Sequence, residues 1–148
     1  MKNDPTPGPE SKDARQRLTD LSKALTHLHK ALIESEKVGY EASFGKIETS
    51  GEFLQLLMND PWFAWLHPVS ELIAAADEAL DDKESVTLAL ADTFHQQAHT
   101  LLTPSEVGEG FGRHYHDALQ RDPDVVLSHA IISRLWKPPA LPEKSSGA

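Results

Sequence analysis

Chemistry in this sequence starts from its imidazoles: eight histidines stand among 148 residues, and there is no cysteine. Without thiols there is no disulfide framework, no thiolate metal site and no thiol nucleophile. Any metal would therefore be held by His, Asp and Glu. In chain order the candidates are His29, His67-x3-Glu71, His95-x3-His99, then His114 or His116. A spacing of four sets two ligands one turn apart on one helix face. By helical phase, His95 and His99 lie at the edge of an apolar face beside Leu88 and Leu102. His114 falls inside the Val107, Phe111, Ala118 stripe, and His129 among Val125, Ile132 and Trp136. Meeting in a bundle, His95, His99, His114 and His129 would suit zinc or iron with one coordination position open. Held apart, each is a neutral core imidazole satisfied by a carbonyl or an acid.

Other chemical arrangements are thinner. Ser128-His129 point to different sides of a helix, and no GxSxG elbow occurs. Gly108-Glu109-Gly110-Phe111-Gly112 follows a helix-capping sequence, not the strand that a phosphate loop needs. Glu36 falls on an apolar helix face and reads as a buried partner for a histidine or as a helix-edge acid. No catalytic residue emerges, and the reading leans away from an enzyme.

The order of the histidine elements resembles the hemerythrin family, helical bundles that hold a di-iron site through His, HxxxE, HxxxH and HxxxxD elements. The resemblance implies His67, Glu71, His95 and His99 as ligands, with His29 as the first. The closing HxxxxD has no counterpart, since Arg121 stands five residues after His116. Helical phase also places His67 and Glu71 opposite Trp62, Trp65, Val69 and Ile73, where they should face water.

The block Pro61-Trp62-Phe63-Ala64-Trp65-Leu66-His67-Pro68 holds two of the three tryptophans. Together with DALQRDPDVVLSHA downstream, it resembles a group of short bacterial helical proteins that carry no established activity. Trp62, Trp65 and Leu66 read as core anchors. On an α-helix Phe63 is about 100° off that stripe, and an exposed Phe there would mark a partner surface.

These residues need elements to position them, and every element reads as helix, because no segment sustains period-2 alternation. Ala14, Leu18, Leu21, Leu25, Leu28 and Leu32 form a heptad seam on a helix over 12–44 that ends at Gly45, with Gly39 and Ser43 letting a neighbour approach. Thr49-Ser50-Gly51-Glu52 is a capping box for a helix over 51–58. A stripe from Trp62 to Leu80 keeps its phase through Pro68, predicting one kinked helix or two abutting ones. Helices over 84–102 and 104–121 follow, the latter started by a Thr103-Pro104-Ser105-Glu106 capping box. The last, over 123–136, is apolar nearly all round and belongs at a bundle centre or a subunit interface. The expectation is an all-α, single-domain bundle of five or six helices over 11–136. Flexible Pro-rich tails are expected at 1–10 and 137–148.

Charge limits the partners. Fourteen basic residues face 23 acidic ones, giving −9. The excess lies between residues 41 and 110, concentrated at Asp77, Glu78, Asp81, Asp82 and Glu84. A solvated turn accounts for that cluster; a basic partner could also meet it. An acidic chain with no basic stripe is a poor match for nucleic acid or anionic membranes. The sequence shows no signal-peptide pattern and no long apolar run, which points to a soluble cytoplasmic protein. The favoured expectation is a non-enzymatic interaction or regulatory protein with a protein partner, a second copy included, and no cofactor. The alternative is a His-rich bundle binding Fe, Zn or another ligand.

Overall fold

The computed structural model describes residues 9–82 and 86–136. Among them are six α-helices, two short 3₁₀ segments and no strand, so the chain is an all-α helical bundle. The expected tails, apart from Pro9 and Glu10, and Glu84 of the acidic cluster lie outside the described residues.

Helix α1, Pro9–Phe44, is the spine. The heptad residues Ala14, Leu18, Leu21, Leu25, Leu28 and Leu32 are all fully buried. Three later helices pack around them. Gly39 lets the Trp62 ring approach closely: a Cβ there would stand 3.3 Å from the indole. Ser43, expected to play the same part, is exposed.

Helix α2, Ser50–Asn59, starts as its capping sequence predicts, with the Thr49 hydroxyl accepting from the Glu52 N–H at 3.0 Å. The Glu52 carboxylate reaches one residue further back than in a capping box, accepting from the Glu48 N–H at 3.1 Å. Asp60 then caps a 3₁₀ helix, Pro61–Leu66, accepting from the Trp62 N–H at 2.8 Å. Helix α3, His67–Asp81, abuts it directly, so the chain takes the two-helix solution at Pro68.

The 3₁₀ geometry corrects one reading. With three residues per turn, side chains three apart eclipse. Phe63 therefore shares a face with Leu66 and is fully buried, while Trp62 and Trp65 share another and are half-buried. Phe63 is a core anchor and not a partner surface.

Helix α4, Leu88–Leu101, starts later than expected because the Thr87 hydroxyl caps it, accepting from the Leu90 N–H at 3.0 Å. Helix α5 also starts late, at Phe111, and ends at Arg121. The Thr103 hydroxyl donates to the His99 carbonyl at 2.7 Å and so does not cap, and Gly108 takes a left-handed φ of +83°. Such a backbone breaks a helix, and 102–110 forms a loop.

Helix α6, Pro123–Ser133, is capped by Asp122, which accepts from the Asp124 N–H at 2.9 Å. A 3₁₀ turn, Arg134–Trp136, follows it. The bundle centre belongs to α1. Helix α6 lies against α1 and α5 through Val125, Ser128 and Ile132, and its other face is open. No helix among the described residues is long and apolar enough to cross a membrane.

Candidate functional site

The four histidines expected to converge are held by four different sets of neighbours. His95, buried on α4, donates from Nε2 to the Arg17 carbonyl of α1 at 3.3 Å, leaving its Nδ1 buried without a partner. His99 stacks on Trp136 at 4.9 Å, and His114 stacks on Trp65 at 5.1 Å. His129 meets the Tyr115 hydroxyl at Nδ1, 2.7 Å away. Burial pushes the Tyr115 phenol up, so the hydroxyl keeps its proton and pairs with the imidazole as a neutral group. Burial, reinforced by nearby His99, lowers His129. Burial also lowers His95, against the hydrogen bond to Arg17. Among the described residues no three His, Asp or Glu side chains stand together as a metal-binding group. The set His95, His99, His114 and His129 is thus not brought together.

Of the hemerythrin-like positions, only His29 and His67 come together. His67 does not face water: it is half-buried and donates from Nε2 to the Leu57 carbonyl at 2.9 Å, tying the start of α3 to α2. His29 lies across the same groove, a cavity of about 230 Å³ that Ile33, Met58 and Phe63 also line. Burial, then the proximity of His67, lowers His29. Glu71 is exposed, as expected.

Ser128 and His129 do point apart. The Ser128 hydroxyl is buried against His27 Nδ1 at 3.1 Å. The acidic positions Asp77, Glu78, Asp81 and Asp82 are exposed at the carboxyl end of α3, where negative charge opposes the helix dipole. Helix α1 offsets this: the Arg15 guanidinium donates to the Leu80 and Asp82 carbonyls at 2.9 and 2.6 Å, and the Ser22 hydroxyl donates to Asp77 at 2.6 Å.

One concave feature was not expected. A cleft of about 310 Å³ opens between α1, the 3₁₀ helix and α5, lined by Glu36, Trp62, Trp65, His114, Asp117 and Arg121. Glu36 is buried, but its partner is Arg121, not a histidine. The same guanidinium donates from Nε to the buried Ser35 hydroxyl at 3.0 Å. Trp62 is fixed edge-on by Tyr40 and Phe44, and its indole N–H donates to the Glu36 carbonyl at 3.2 Å. Trp65 is fixed by Phe111 at 5.2 Å and by His114. Asp117 accepts at Oδ1 from Arg113 Nε, 3.3 Å away. Sequence reasoning isolated Glu36 and the tryptophans but passed over Arg121, which carries no local signal: it lies 85 residues from Glu36.

A second feature is convex. Val126, Leu127 and Ile131 on α6 are 45%, 63% and 47% exposed, with Ala130 exposed between them. No protein-family model, curated protein or solved structure matches this chain.

Proposed function

We propose that this chain is a non-enzymatic helical interaction protein that docks another polypeptide on the outer face of α6. The observation that carries the reading is the run of Val126, Leu127, Ala130 and Ile131, exposed side by side on a helix whose opposite face is buried. Scattered surface apolar residues are ordinary, but apolar residues side by side on one helix face mark a contact surface. Two other features that suggested an interface support it no longer: the heptad seam and Phe63 are used up inside the bundle.

The strip also bounds the strength of the contact. Fully burying a Val, Leu or Ile side chain contributes about 1.5–3 kcal/mol. Three that are already half-covered add on the order of 3–4 kcal/mol, before the cost of association. For the complex to persist through chromatography the partner must therefore engage neighbouring surface as well.

Replacing Leu127 and Ile131 together by Glu tests the reading. Both side chains face outward, so helical content and melting should stay close to wild type. In size-exclusion chromatography of host lysate, the wild-type chain should elute in a larger complex and the double variant as a monomer. Elution of the wild-type chain as a monomer at its native concentration overturns the proposal.

A further inference from the structure

We propose that the cleft between α1, the 3₁₀ helix and α5 binds a guanidinium group, carried by a small molecule or by an arginine side chain. The inference stands apart from the α6 reading and rests on different residues.

The 3₁₀ helix sets the geometry. Trp62 and Trp65 are one turn apart, which at three residues per turn and about 2.0 Å rise puts both indoles on one side, separated by roughly 6 Å along the axis. Both line the cleft and pack on aromatic neighbours, Trp62 edge-on to Tyr40 and Phe44, and Trp65 on Phe111 and on His114, itself part of the lining, so the site is formed before a ligand arrives. Indole faces attract cations through the ring quadrupole, and a flat guanidinium fits against them better than a tetrahedral ammonium.

Charge gives the sign of the ligand. Two carboxylates, Glu36 and Asp117, line the cleft against the single guanidinium of Arg121. Arg121 is engaged by Glu36 and Ser35, so it is poorly placed to recruit an anion. Each carboxylate spends one oxygen within the chain, Glu36 Oε2 on Arg121 and Asp117 Oδ1 on Arg113. Glu36 Oε1 and Asp117 Oδ2 form no hydrogen bond within the described residues; Glu36 Oε1 is not sealed in the interior, and the Asp117 side chain is 48% exposed. They offer acceptors for the N–H donors of a guanidinium, the pairing in which such bonds are strongest. The chain's net charge of −9 favours a cation at longer range. A volume of about 310 Å³ is at the small end for ligand sites, sufficient for an arginine side chain and little more.

The test uses the full chain and the three indole N–H signals of Trp62, Trp65 and Trp136 in a two-dimensional nitrogen–proton NMR spectrum. Methylguanidinium chloride is titrated at constant ionic strength, with n-butylammonium chloride and sodium benzoate as controls. Saturable shifts of Trp62 and Trp65, with Trp136 unmoved, are expected for methylguanidinium. Butylammonium should bind more weakly, and benzoate should leave both signals in place. Asp117→Asn, an exposed change that keeps the fold, should weaken binding about tenfold, which is about 1.4 kcal/mol. Argininamide and a glycine-flanked arginine tripeptide then separate the sources: tighter binding of the tripeptide assigns the site to a protein arginine, and equal binding to a free small molecule. Shifts that fail to saturate, benzoate binding in place of the cation, or an Asp117→Asn affinity equal to wild type would each overturn the proposal.

Discussion

The ion pair between Glu36 and Arg121 joins α1 to α5, and its two halves differ in what they leave behind when broken. The Glu36 side chain is 10% exposed and that of Arg121 is 44% exposed. Arg121→Met strands a buried carboxylate and removes the donor to the buried Ser35 hydroxyl. Glu36→Gln keeps a hydrogen-bond acceptor at the same place and leaves a guanidinium that can turn to water. Removing one partner of a fully buried pair costs about 3–5 kcal/mol. The exposure of Arg121 screens part of that, which brings Arg121→Met to about 2–3 kcal/mol, and Glu36→Gln to about 1 kcal/mol or less. The double variant should be more stable than Arg121→Met alone, because the stranded charge is gone. Urea unfolding at neutral pH, with unchanged slope, measures all three. A Glu36→Gln cost equal to or above that of Arg121→Met would refute the reasoning, as would a double variant less stable than Arg121→Met.

Three further outcomes follow from the packing. Phe63→Ala should cost about 3–5 kcal/mol in the same assay, because a fully buried ring is removed; a loss below about 1 kcal/mol would return Phe63 to the surface. Gly39→Ala sets a helix-propensity gain of about 1 kcal/mol against a Cβ 3.3 Å from the Trp62 ring. It should change stability by less than about 1 kcal/mol while shifting the Trp62 indole signal, and an unmoved signal would contradict the close approach. His95 is lowered by burial, so the unfolded chain takes up its proton first: stability is complete above about pH 6.5 and falls with acidity at up to about 1.4 kcal/mol per pH unit. His29 and His129, also lowered, act in the same direction. His95→Gln should flatten this slope when urea midpoints are compared near pH 7.5 and pH 5.5, and an unchanged slope would refute the assignment.

What could be read in the sequence follows from the range of each interaction. The α1 seam was legible because six apolar residues at heptad spacing need only helical geometry to share a face, and all six are buried. The cap at Thr49 was legible because its bond spans three residues. Phe63 was misplaced because an α-helical period was applied to a 3₁₀ segment, and one change from 100° to 120° per residue exchanges the buried face for the exposed one. The start of α5 was misplaced because the Thr103 hydroxyl bonds backward to His99, a choice open to any Thr one turn beyond a carbonyl. The histidine positions were correctly put near apolar surfaces in part: His95 is buried and His129 half-buried, but His99 and His114 are exposed side chains stacked on tryptophans. Convergence depends on how α4, α5 and α6 rotate about their axes, which spacing along one helix does not specify. The cleft was illegible for the same reason, since it joins Glu36, two tryptophans of the 3₁₀ helix and Arg121 across three elements. Helix α6 shows the opposite case: its all-round apolar pattern was plain, and the structure divides it into a face against α1 and α5 and a face left open.

That open face is the centre of the functional account, and a photo-crosslinking residue at Leu127 in living host cells tests it most directly. Position 127 is compared with a control at the exposed Ala89 on α4, and adducts are resolved by mass. The account predicts a discrete covalent adduct to a polypeptide from position 127, absent from position 89 and lost when Ile131 is also changed to Glu. An adduct of twice the chain's mass identifies a second copy as the partner, and any other mass a different protein. Equal, diffuse labelling from both positions, or none from 127, would contradict the claim that α6 is a docking surface.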